Sequence, residues 1–93
     1  MIQEIITTRS PEEVLAAART FFARRNPLYA AFPDKHGAGY ATFRGQGGEE
    51  IVIGVTPVEG GTKVRGSTYL FTPQVARFLS TLQPVGEVEE AVG

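Results

Sequence analysis

Apolar residues recur along this chain with two different periods, and the change from one to the other marks its elements. Residues 2–8 (IQEIITT) are short and β-branched, which predicts a strand. From residue 14 the spacing becomes helical: Val14, Leu15, Ala18, Phe21 and Phe22 fall on one stripe. The start of that helix is well specified. Ser10 is a capping residue, Pro11 suits the first turn, and Glu13 stands three residues after Ser10, as a capping box requires. Glu12 and Glu13 lie at the positive end of the helix dipole, Arg24 and Arg25 at its negative end, and Asn26-Pro27 stops the helix.

A period of two follows. Residues 28–32 (LYAAF) read as a strand and 33–39 (PDKHGAG) as its turn. Strands at 40–44 (YATFR), 49–55 (EEIVIGV) and 63–71 (KVRGSTYLF) are separated by the turns GQGG (45–48) and EGGT (59–62). Thr72-Pro73 repeats the cap-plus-proline device and opens a second helix, with Val75, Phe78, Leu79 and Leu82 at helical spacing and Pro84 ending it. Residues 85–93 read as a loosely ordered acidic tail. The expected fold is α+β in the order β-α-β-β-β-β-α: one domain over residues 1–84, with a single curved antiparallel sheet and two helices packed on one face.

The turns also set an expected register. With Gln46-Gly47 at the tip, Arg44 pairs Glu49, Thr42 pairs Ile51 and Tyr40 pairs Ile53. With Gly60-Gly61 at the tip, Val55 pairs Gly66, Ile53 pairs Thr68 and Ile51 pairs Leu70. One face then carries Tyr40, Ile51, Ile53, Val55, Val64 and Leu70 toward the helices. The other carries Ala41, Phe43, Val52, Gly54, Thr56, Arg65, Ser67 and Tyr69, half of it apolar.

Composition narrows the function classes. Ninety-three residues make one small domain, and a net charge of −1 leaves no basic excess for nucleic acid. Cysteine is absent, which excludes thiolate chemistry and disulfides. No apolar run is long enough for a membrane span, and the first residues lack the pattern of a signal peptide, so a cytoplasmic protein is expected.

The candidate chemistry is sparse. HGAGYATFRGQGG (36–48) is glycine-rich, but Thr42 stands where a third glycine of GxGxxG is needed and no helix follows, so its glycines read as turn residues. His36 with Asp34 offers two metal ligands and no third, so no metal or cofactor is expected. Glu49 and Glu50, adjacent in a strand, point to opposite faces and do not form a carboxylate pair. Arg44, Lys63 and Arg65 lie near Tyr40 and Tyr69, an arrangement that could hold an anion, although the overall charge argues against nucleic acid. No nucleophile stands beside a base, and the expectation is no catalytic residue.

Two stretches resemble a known superfamily. ITTRSPEEVLAAA (6–18) resembles the opening of the START-related helix-grip proteins, and VTPVEGGTKVRGSTY (55–69) resembles their GGT hairpin. The element order is also similar to the TATA-binding-protein-like fold. The resemblance implies an apolar-ligand cavity between a sheet and a C-terminal helix, here shortened. Two functions of different class follow as expectations. The first is a non-enzymatic module acting as a homodimer or on a protein partner, with Phe43, Val52, Arg65 and Tyr69 as interface candidates. The alternative is a binder of a small apolar ligand, with Tyr40, Ile53, Phe78, Leu79 and Leu82 lining the pocket.

Overall fold

The first helix begins where the capping box puts it. In this computed structural model the Ser10 N–H donates to the Glu13 carboxylate (3.1 Å), and the Glu13 N–H donates to the Ser10 hydroxyl (3.2 Å). The structure describes residues 1–24, 31–45, 47–85 and 89–91. The Asn26-Pro27 stop, Arg25, residues 28–30 of the expected strand and Gln46 lie outside them, as do 86–88 and 92–93 of the expected tail.

Six strands and two helices follow in the order β1 (Ile2–Thr7), α1 (Pro11–Arg24), β2 (Ala31–Gly37), β3 (Tyr40–Gly45), β4 (Glu50–Val58), β5 (Gly61–Thr68), α2 (Thr72–Thr81) and β6 (Glu89–Ala91). The strands form one sheet in the order β2-β3-β4-β5-β1-β6, antiparallel at every pairing. The fold is α+β. Its first seven elements follow the expected order, and both helices lie on one face of the sheet.

β4 runs on to Val58, past the expected end at Val55, and β5 spans Gly61–Thr68 rather than 63–71, which leaves only Glu59-Gly60 as their turn. Three further boundaries differ from expectation. PDKHG (33–37) belongs to β2 rather than to a turn, and only Ala38-Gly39 turn the chain. A proline-bearing, polar strand is tolerated here because β2 is an edge, with a bulge between Pro33 and His36. The acidic tail is not wholly loose: Glu89–Ala91 pair with the edge that β1 would otherwise leave open. Thr72 does not cap α2. Phe71 occupies that position without a side-chain cap, and its N–H donates to the Thr68 hydroxyl (3.2 Å).

The core lies between the sheet and the helices. Val14, Leu15, Ala18 and Phe22 of α1 meet Val75, Phe78 and Leu79 of α2 over Ile5, Phe43, Ile51, Ile53 and Val64. Phe22 sits at its centre, with ring centroids 5.2 Å from Phe43 and 5.3 Å from Phe78. Gly66 lets α2 lie close: a Cβ there would stand 2.5 Å from Val75 Cγ1. The end of α2 is tied to β1, where the Thr7 hydroxyl donates to the Leu82 carbonyl (2.6 Å) and Val85 N–H donates to the Ile6 carbonyl (2.7 Å).

Candidate functional site: the open face of the sheet

Register decides which side chains share the uncovered face. The first glycine hairpin closes across Gly45 and Glu49, with the Gly45 N–H donating to the Glu49 carbonyl (2.8 Å). The chain between them is three residues long, and Gly48 takes a left-handed φ of 90°. A three-residue turn ending in left-handed glycine is a standard hairpin closure. It moves the pairing by one residue from the expected two-residue turn: Arg44 pairs Glu50, Phe43 pairs Ile51, Thr42 pairs Val52, Ala41 pairs Ile53 and Tyr40 pairs Gly54. A shift of one residue inverts a strand's faces.

Phe43 therefore points into the core and is fully buried, not part of an open interface. Tyr40 goes the other way. It leaves the expected pocket wall and stands on the open face, 42% exposed. The second hairpin is shifted by two, with Val58 opposite Gly61, Val55 opposite Val64 and Ile53 opposite Gly66. A shift of two keeps each face intact, so Val64 stays inside and Arg65 outside. Leu70, expected inside, lies beyond the end of β5 and is exposed.

The open face carries the row Thr42–Val52–Ser67–Ile2 and, beside it, the row Tyr40–Gly54–Arg65–Glu4. Arg44 and Glu50 flank the first row on its other side, with Phe32 next to Arg44. Thr56, Lys63 and Ile6 lie beyond the second. Ile6, Phe32 and Tyr40 are exposed, and Ile2 and Val52 are half-buried. Among the described residues no helix or strand crosses this face. Just past β5, Tyr69 is 94% exposed.

Its charges are paired within the chain. Arg44 contacts Asp34 at 3.3 Å and Glu50 at 3.4 Å, and Glu4 lies 3.5 Å from Lys63 and 3.9 Å from Arg65. All are half-exposed contacts of small energetic weight. Arg44, Lys63 and Arg65 thus share one face, each beside a carboxylate that competes with an added anion. Ile2, Ile6, Phe32 and Glu4 were not among the sequence candidates. The alternation of Ile5 inward and Ile6 outward in β1 carried the signal, but reading it needed the pairing of β1 with β5.

The other candidates are placed as follows. Ile53, Phe78, Leu79 and Leu82 converge, as a closed core: each is at most 1% exposed, and the space between sheet and α2 is filled by the protein's own phenylalanines. His36 is exposed on β2, and among the described residues no three His, Cys, Asp or Glu gather to hold a metal. Glu49 and Glu50 diverge, Glu50 to Arg44 and Glu49 toward the glycine turn. The Ser10 backbone N–H, and after it the Ser10 hydroxyl, hold the Glu13 carboxyl below its ordinary value, and both serve the helix cap. No described helix is long and apolar enough to cross a membrane.

Comparison with protein-family models, with curated proteins and with solved structures finds no match to this chain.

Proposed function

We propose that this protein is a non-enzymatic α+β module that works as a homodimer, with the open face of its sheet as the contact surface. One observation carries the reading: both helices pack on one face, while among the described residues nothing covers the opposite face, where Tyr40, Phe32 and, at the far corner, Ile6 are exposed and Val52 is half-buried. The edges of the sheet are poorer candidates. β2 is interrupted by Pro33 and a bulge and carries Asp34 and Lys35, and β6 is three residues long. Each of these devices blunts edge-to-edge pairing. A small domain also gains from burying more apolar surface by association than it can bury alone.

In this reading the helix-grip resemblance concerns layout alone. The GGT hairpin joins β4 to β5, and the volume that a ligand would occupy in a grip is taken by Phe22, Phe43 and Phe78. Sedimentation velocity over a range of concentrations tests the proposal. A concentration-dependent dimer that is lost in Val52→Asp is the expected outcome. A monomer throughout, or a dimer untouched by that substitution, overturns it.

A further inference from the structure

We propose that the open face pairs with its own copy about a two-fold axis lying along the row Thr42–Val52–Ser67–Ile2. The inference rests on the homodimer reading above and adds how the second copy sits. A two-fold axis sets each residue on it against its own counterpart. Like charges brought together in this way oppose association. Two outer rows cross β3, β4, β5 and β1. One of them, Tyr40–Gly54–Arg65–Glu4, would put Arg65 on Arg65 and Glu4 on Glu4 as an axis. An axis along β4 would put Glu50 on Glu50. The row Thr42–Val52–Ser67–Ile2 has no charge to repeat, and it holds the half-buried Val52 and Ile2.

This axis lays each strand over its own copy, running in the opposite direction. Residues equally far from the axis then meet. In β3 these are Arg44 and the partner's Tyr40, a cation over an aromatic ring. Past the end of β5, the fully exposed Tyr69 comes over the partner's Arg65. In β4, Glu50 comes over the partner's Gly54. No side-chain atom lies within 4 Å of where a Cβ would stand on Gly54, so the Glu50 carboxylate has room to reach the neighbouring Arg65. Each contact occurs twice and joins opposite charges or a cation with a ring.

About this axis the copies overlap over about five residues of each of β2, β3, β4 and β5, and with strands about 4.8 Å apart and about 3.3 Å per residue the contact covers about 300 Å² of sheet per copy. That is the size of a weak, concentration-dependent association rather than of a permanent dimer.

Charge exchange tests the geometry. Arg65→Glu and Glu50→Arg are each expected to weaken self-association at least tenfold, because each sets like charges together twice. An equimolar mixture of the two variants is expected to associate again. The Glu50 of one copy then meets the Arg65 of the other, and the introduced pair is also opposite in sign. Native mass spectrometry identifies the mixed dimer by its mass. The chain has no cysteine, so Ser67→Cys places one thiol per copy beside the axis. A bismaleimide spanning about 10 Å, the usual separation of packed sheets, is expected to link two copies through it. Thr56→Cys, on the same face but far from the axis, is expected not to link. If the wild-type protein dimerises but the mixture does not recover and residue 67 does not link, this axis is overturned while the homodimer reading stands. Wild-type protein that remains monomeric at high micromolar concentration overturns both. Should a charge variant fail to fold by circular dichroism, the Ser67→Cys linkage decides.

Discussion

The two faces of the sheet are made from the same strands and have opposite characters. In β3, Ala41 and Phe43 go to the core, while Tyr40 and Arg44 stand in solvent. In β4, Ile51, Ile53 and Val55 go in, while Val52 and Gly54 lie on the open side. The covered face is closed by both helices and is held by close packing. The open face is dominated by half-exposed ion pairs and small residues. Stability therefore belongs to one face, and what the other has to offer is contact. Substitutions should separate them cleanly.

Phe43→Asp should have the largest effect. Truncating a core phenylalanine costs about 3–5 kcal/mol, and a buried carboxylate adds to that. The variant is expected to be unfolded by circular dichroism, and a native spectrum would show that Phe43 is not inside. Gly66→Val comes next. Its Cβ would meet Val75 within the core face, so overpacking by about 1–3 kcal/mol should lower the urea midpoint.

Ser10→Ala should cost about 1 kcal/mol through the lost cap. An unchanged melting curve would place the helix start elsewhere. The same cap carries a pH dependence. Glu13 is held below its ordinary value in the folded state, so its contribution is complete above the ordinary carboxylate range near pH 4.3 and is lost as the pH falls below it. Glu13→Gln should flatten that part of the acid-unfolding profile. Gln83 adopts a left-handed φ of 56° just after α2 ends. Gln83→Gly should therefore stabilise by about 1 kcal/mol in urea titration. Val52→Asp, on the open face, should be the mildest, shifting monomer stability by less than about 1 kcal/mol. Its expected loss of the dimer is what distinguishes the two sides of β4.

Local chemistry was legible in the sequence, and pairing was less so. The stripe from Val14 to Phe22 and the Ser10–Glu13 box define α1 because both act within a few residues. The order of the first seven elements could be read for the same reason. The faces of β3 could not, because the three glycines at 45, 47 and 48 permit turns of two or three residues, and only the longer one puts Phe43 inside. The second hairpin was also shifted, but by an even number, which left its faces unharmed. β2 reads as a turn because an edge strand can hold proline and charge. β6 is invisible locally because its pairing is supplied by β1, far away along the chain. The open-face candidates Val52 and Arg65 could be named from β4 and β5, whereas Tyr40 and Phe43 exchanged sides together.

The position of β1 sets the order of assembly. Its partners in β5 lie between 55 residues away (Thr7 with Thr62) and 65 residues away (Ile2 with Ser67). The hairpins joining β3, β4 and β5 close over a few residues each. Local loops close early and distant ones late, because the entropy lost grows with the span enclosed. The three-stranded meander can therefore form first and wait with one side of β5 unpaired. Arrival of β1 fills that side, brings α1 over the core and provides the anchor for the end of α2. Folding speed should thus follow the docking of the first strand, and substitutions in β1 should slow folding more than those in the β3–β4 turn.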